Sequence, residues 1–299
     1  MTPTVLLPSE LGVADRPGQI AAEVLPDASV LSSIEFYVPA YMGPLSTFSA
    51  IAQMPRLQVV QLLTAGYDSA VAHLPAGVRL CNAAGVHDAS TAEIAVGLTV
   101  ASLRGIDDFA RAMPAGMWLQ GRRESLADKR VLVIGAGGVG RAICRRVEAF
   151  EADVVMVGRT AREAVRALED LPDLLPAADV VILAVPLDDT TRHMVDAQFL
   201  ARMTDGALLV NVARGAVVAT EALVAAVSSG RIRAAMDVTD PEPLPQGHPL
   251  WTLPGVLISP HVGGNSSAFV PRARRLVEAQ LVRWAAGQSL EHVVAVGVS

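Results

Sequence analysis

Three short segments of the 299-residue chain carry the side chains best suited to chemistry. Asn211-Val-Ala-Arg-Gly215 sets Arg214 just beyond an apolar run, ahead of a glycine that permits a turn. Asp237-Val-Thr-Asp-Pro-Glu-Pro-Leu-Pro245 sets three acids among prolines beyond another run, and Ser259-Pro-His261 closes a third. An arginine, a carboxylate and a histidine converging beside a nicotinamide are what reduction of a 2-keto acid needs. The guanidinium clamps the substrate carboxylate and polarises its keto group. The histidine supplies the proton that matches an incoming hydride. A carboxylate bound to the histidine raises its pKa and fixes its ring. The remaining histidines, His73, His87, His193, His248 and His292, lack such a setting and read as surface or loop residues. Tyr41, Met42 and Trp118 could line a pocket or simply pack.

A fourth segment supplies a cofactor site. Val131-Leu-Val-Ile134 runs into Gly135-Ala-Gly-Gly-Val-Gly140, and a helical stretch follows from Arg141 through Val147 to Phe150. Gly135 allows the tight turn, Gly137 lets backbone approach a pyrophosphate, and Gly140 lets helix and strand pack closely. The helix N-terminus adds amides and a positive dipole. A plain glycine-rich turn, or a site for another nucleoside such as S-adenosylmethionine, would share the motif. The second strand ends at Gly158-Arg159-Thr160, where an acid would ordinarily hold the ribose 2′-hydroxyl. Arg159, with Thr160 and Arg162, could instead hold a 2′-phosphate, which favours NADP over NAD. Alternatively Arg159 is a solvated strand-end residue and both cofactors are accepted.

The elements that must position these groups are legible as alternation. Short apolar runs at 131–134, 154–157, 180–185, 207–212, 234–238 and 256–259 are separated by stretches of helical spacing. Six such strands imply a doubly wound parallel Rossmann sheet with helices on both faces. The first hundred residues repeat the style more weakly, with candidate strands at 4–7, 29–31, 57–63 and 78–81, and read as a smaller α/β domain. Ser90 and Glu93 are spaced as a capping box opening a helix, which places a hinge near residue 98. A final helix from about 266 to 286 ends at Gly287 and could cross back. The resulting division is a substrate domain in residues 1–98, a dinucleotide-binding domain in 99–268, and a C-terminal helix in 269–299 returning to the first.

Composition excludes several classes. With 52% hydrophobic residues and 18% charged, the chain is far too apolar to be disordered, and at this length it suggests two domains. No apolar run reaches the roughly 18 residues of a membrane span. A net charge of -6 without a basic stripe argues against nucleic acid. The N-terminus shows no secretory pattern, so the expected address is the cytoplasm. Two cysteines, Cys81 and Cys144, build neither a disulfide framework nor a zinc site, and no metal is expected. Lys129 is the only lysine and stands at the start of a strand, badly placed for Schiff-base chemistry.

Taken together, these segments resemble the D-isomer-specific 2-hydroxyacid dehydrogenase family, which includes glyoxylate/hydroxypyruvate reductases and phosphoglycerate dehydrogenases. The matches are Leu126 to Gly140, Ala178 to Leu187 with Thr191, Leu209 to Gly215, Asp237 to Pro245, and Ser259-Pro-His261, spread over nearly the whole chain. The resemblance implies Arg214 as substrate clamp, His261 as acid/base and Glu242 as the histidine's partner, with Asp237 against the nicotinamide carboxamide. It implies cofactor contacts at Gly135, Gly137, Gly138, Val139, Gly140, Val185, Pro186, Thr191, Ala213 and Asp237, beside Arg159 and Thr160 read above from the end of the second strand. It also implies substrate contacts at Ala65 and Gly66 in Thr64-Ala-Gly-Tyr-Asp68, a split flavodoxin-like substrate domain, and a homodimer with its arm near 104–123. Glyoxylate or hydroxypyruvate is the leading substrate. Two alternatives stand beside it: a phosphoglycerate dehydrogenase-like enzyme, and a non-catalytic protein that senses dinucleotide on the same fold. The chain departs from the family at Arg159, in the looser Val262-Gly-Gly-Asn-Ser266 after the histidine, and in Thr64 and Ala65 where a strongly anionic substrate would want a lysine; no C-terminal regulatory extension is expected, which argues against an allosteric phosphoglycerate dehydrogenase.

Overall fold

The structure, a computed structural model, describes residues 4–44 and 46–298, and the chain divides into two compact units, Met1–His87 with Ser266–Ser299, and Asp88–Asn265. The boundary precedes the helix Asp88–Arg104 instead of falling near residue 98 within it. The reason is packing: Ala92, Ala95, Val96, Leu98 and Leu103 of that helix all lie in one core cluster of the second unit. The helix also starts before Ser90, which is buried in its first turn and does not cap it.

In the first unit β1 (Val5–Pro8), β2 (Gln19–Ala22), β3 (Phe36–Tyr37), β4 (Val59–Gln61) and β5 (Arg79–Cys81) run parallel in the order β5-β4-β3-β1-β2. The strand Val293–Val296 adds to β5 antiparallel. Successive side chains point to opposite faces of a strand. Accordingly Val5, Leu7, Phe36 and Val59 meet Phe269, Ala273, Val277 and Leu281 of the helix Phe269–Ala285, while Leu6, Tyr37, Val60 and Leu80 enter a second cluster. The strand expected at 29–31 is instead a helical turn, Ala28–Leu31. Asp27 decides this, because its carboxylate accepts from the Ser29 and Val30 amides and caps the turn. His87, read as a surface or loop residue, lies in the loop before the helix Asp88–Arg104 but is buried: its Nε2 lies 2.7 Å from the Leu63 carbonyl, and its ring stacks with Tyr41 and Phe269. Tyr41 thus packs in a ring cluster, whereas Met42 is exposed.

The second unit holds β6 (Arg130–Ile134), β7 (Asp153–Gly158), β8 (Arg166–Ala167), β9 (Val180–Leu183), β10 (Leu208–Asn211), β11 (Arg233–Met236) and β12 (Val256–Ile258). All are parallel, in the order β12-β11-β10-β9-β6-β7-β8. The chain therefore winds outward from β6 in both directions, and the crevice of a doubly wound sheet opens between β6 and β9. Val180, Ile182, Val131 and Val133 face one core, and Val181, Leu183, Leu132 and Ile134 the other. Covering both faces is why these strands read as unbroken apolar runs. Among the described residues no helix is long and apolar enough to cross a membrane.

One polar relay runs through the first unit's core. Gln280, fully buried, donates through Nε2 to Gln61 Oε1 at 2.8 Å and to the Glu291 carbonyl at 2.9 Å, and accepts from the Glu291 amide at 2.9 Å. It ties the helix, β4 and the C-terminal segment together. Replacing Gln280 by Leu strands those partners, and each buried polar group left unpaired costs about 1–3 kcal/mol. Urea unfolding of Gln280→Leu should show a lower midpoint with an unchanged slope.

Candidate active site

The glycine-rich turn is shaped by close backbone approaches. Gly135 has φ +127°, and a Cβ there would overlap the Ala184 carbonyl at the end of β9. A Cβ at Gly140 would overlap the Gly135 carbonyl, so helix Gly138–Glu148 can start against the turn only with glycine there. Gly137 faces open space. Behind it the amides of Gly138, Val139 and Gly140 sit in the first helical turn, where no intrahelical carbonyl is available to them. This combination of room, unbonded amides and positive helix end fits the pyrophosphate of a nicotinamide dinucleotide. A Cβ at Gly138 would meet the Asp88 carboxylate, a side-chain end that can swing aside, so this contact places Asp88 beside the turn without requiring glycine. Nothing in the spacing of the sequence pointed to Asp88.

Around this turn the strand ends supply walls. Val185 and Pro186 follow β9, and Thr191 fastens their loop, donating from Oγ1 to the Pro186 carbonyl at 2.7 Å and accepting from the Asp188 amide at 2.8 Å. Arg159 and Thr160 follow β7 and are exposed; the Arg159 guanidinium donates to Asp188 at 2.7 Å, and Arg162 donates to the Ala136 carbonyl at 3.0 Å. Ala213 is buried at the end of β10.

The His261–Glu242 pair is assembled by three loops. Asp237, buried at the end of β11, accepts from Ser259 Oγ at 2.6 Å and from the amides of Val262 at 2.9 Å and Gly263 at 2.8 Å. Its own carbonyl accepts from the His261 amide at 2.8 Å. These bonds bend the chain so that His261 adopts φ +52°, a conformation uncommon outside glycine. The His261 ring then meets Glu242, with Nδ1 bonded to Oε1. A carboxylate only accepts, so Nδ1 carries the proton and Nε2 is the nitrogen left for chemistry. Burial works against the charge on Glu242. The hydrogen bond and charge of His261, the Thr239 amide and the Arg214 guanidinium outweigh it and hold the carboxyl below its ordinary range.

Arg214 is placed by its own neighbours. Asn211, buried at the end of β10, donates to the Arg214 carbonyl at 3.0 Å and accepts from the Ala213 amide at 3.0 Å, while its carbonyl accepts from the Asp237 amide at 2.9 Å. Asn211 was missed as a site residue, although an asparagine opening the Arg214 segment was the available signal. Gly215 brings the next loop in, since a Cβ there would overlap the Thr239 carbonyl. Arg214, Asp237, Glu242 and His261 are thus one group in the second unit. Ala65 and Gly66 lie in the first, in a loop fixed by Asn82 Nδ2 donating to the Ala65 carbonyl at 2.7 Å and Thr64 Oγ1 to the Gly66 carbonyl at 2.7 Å. Both cysteines are buried, which pushes their thiols up to about 11. Among the described residues no cluster of histidine, cysteine and acid suits a metal.

Comparison with known proteins defines the family. The family described as "D-isomer specific 2-hydroxyacid dehydrogenase, NAD binding domain" matches residues 96–263, and the chain belongs to this family of dehydrogenases. Glyoxylate/hydroxypyruvate reductase A of Arabidopsis thaliana is 31% identical over 249 residues, 80% of this chain and 79% of that one. A D-isomer specific 2-hydroxyacid dehydrogenase from Xanthobacter autotrophicus Py2, solved with NADPH and MES, superposes with a TM-score of 0.80 at 29% identity, covering 99% of this chain and 98% of that one. An NADPH-dependent glyoxylate/hydroxypyruvate reductase from Sinorhizobium meliloti, solved with NADP and sulfate, gives 0.82 at 25% identity, covering 98% of each chain.

The Glu242 shift has a definite sign. A carboxyl whose folded pKa lies below its unfolded value, near 4.5, stabilises the fold above that value and loses the contribution as pH falls through the folded pKa. Unfolding free energies of wild type and Glu242→Gln, measured by urea titration from pH 7 to pH 3, should differ at neutral pH. The gap should narrow on acidification below about 4.5.

Proposed function

We propose that the protein is an NADP(H)-preferring reductase of small 2-keto acids that yields D-2-hydroxy acids, with glyoxylate or hydroxypyruvate as its substrate. The observation that carries this reading is the His261–Glu242 pair with the Arg214 guanidinium close enough to act on the same carboxylate. A bound nicotinamide dinucleotide would supply the hydride. Arg214 binds the substrate carboxylate and polarises the keto oxygen. His261 releases the proton from Nε2 to that oxygen as the alcohol forms, and Glu242 holds the imidazolium in orientation. Asp237 keeps His261 in place and is assigned to the nicotinamide carboxamide; Ala65 and Gly66 are assigned to the substrate carboxylate. Arg159 at the end of β7 supports the NADP preference, as does the presence of NADPH and NADP in two related structures. The substrate reading is supported by the names of the Arabidopsis and Sinorhizobium relatives.

We also propose a homodimer. The segment from Ile106 to Leu119 exposes Ile106, Phe109, Met113, Met117, Leu119 and Trp118, the last 90% exposed, and apolar side chains left in water along one segment favour burial against a second copy.

Initial rates of NADPH and NADH oxidation with glyoxylate, hydroxypyruvate and pyruvate test the activity. Wild type should turn over with NADPH preferred, and His261→Ala should lose about 10²–10⁴-fold in kcat with cofactor affinity retained. Activity unchanged in His261→Ala would sink the mechanism. Light scattering should give twice the 31.3 kDa chain mass for wild type, and a Met113→Glu, Trp118→Glu double variant should give the single mass.

A further inference from the structure

The groups around Arg159 say more than its presence does. Asp188 stands in the turn after β9, and Arg159 follows β7. In the sheet β6 lies between these two strands, so the Arg159–Asp188 ion pair at 2.7 Å reaches across the end of β6, where the glycine-rich turn begins. The two partners are not equally anchored. Asp188 Oδ1 accepts from the Thr190 amide at 2.9 Å, the Thr190 hydroxyl at 2.6 Å and the Thr191 amide at 3.1 Å, which fixes the carboxylate and leaves Oδ2 to Arg159. Arg159 has a long stem and its side chain is 69% exposed. Arg162, the other guanidinium of this loop, is committed to the Ala136 carbonyl.

We propose that Asp188 is a specificity-determining residue: its carboxylate occupies Arg159 in place of an adenosine 2′-phosphate, so the preference for NADP(H) is set by competition between the two anions for one guanidinium. This rests on the cofactor reading above and deepens it. A carboxylate and a phosphate offer the same kind of paired oxygens to the guanidinium fork. The phosphate carries the greater charge and wins, but only after the existing pair is broken. An exposed pair of this kind is weak, so the penalty it imposes is a few-fold in affinity and not orders of magnitude. NAD, with a neutral 2′-hydroxyl, has no need to displace Asp188. The carboxylate therefore narrows the discrimination that Arg159 alone would give.

Calorimetric dissociation constants for NADP⁺ and NAD⁺, measured without substrate on wild type, Arg159→Ala, Asp188→Asn and Asp188→Ser, test this. Asparagine and serine both retain an oxygen that can cap the Thr190–Thr191 turn, and two variants guard against a local folding defect in either. The expected result is NADP⁺ binding about two- to five-fold tighter in both Asp188 variants, with NAD⁺ unchanged and the preference for NADP⁺ lost in Arg159→Ala. NADP⁺ binding that is unchanged or weaker in the Asp188 variants, in a wild type that does prefer NADP⁺ through Arg159, overturns the role of Asp188 alone. Equal affinities in wild type with no effect of Arg159→Ala overturn the cofactor reading and this proposal with it.

Discussion

The carboxylate of Asp237 is the interaction on which the proposed chemistry hangs. A buried carboxylate survives only when its lone pairs are satisfied, and here a hydroxyl and two amides from one loop do so. The same bonds curl residues 259–263 around the end of β11 and turn the His261 ring toward Glu242. Asp237 is also joined through its amide to Asn211, which braces Arg214. One buried aspartate thus connects three strand ends, through its carboxyl group and its backbone amide, and the positions of the arginine and the histidine follow from it.

A second constraint works in backbone alone. At Gly135, Gly140 and Gly215 a single methyl group would collide with a carbonyl, so the turn after β6, the end of β9 and the loops after β10 and β11 are held at main-chain contact. Side chains placed on such loops inherit the rigidity of the sheet, which is what a constellation needs if it is to be set before substrate arrives.

How much of this was legible in the sequence follows from how far apart the causes lie. Arg214 and His261 stood out because residue type and position after a buried strand coincide within a few residues. The strands of the second unit stood out because burial on both faces leaves continuous apolar runs such as 180–183. The two-residue strands β3 and β8 carry too few positions for any period to show. The turn at Ala28–Leu31 was misread because Asp27, which caps it, lies just outside the apolar run. The Gln61–Gln280 pair joins residues 219 positions apart and looks like two unrelated polar side chains until the sheet and helix meet. Asp188 was hidden for the same reason: in the sequence it belongs to a turn, and only the parallel order of β7, β6 and β9 sets it opposite Arg159.

The overlap that a Cβ at Gly215 would create with the Thr239 carbonyl has a consequence for remodelling the protein. The segments 211–217 and 237–245 touch main chain to main chain, so neither can be lengthened or exchanged by itself without moving the other. Loop grafts aimed at new substrates would have to transplant the two as a matched pair, and random insertion libraries should tolerate length changes in neither.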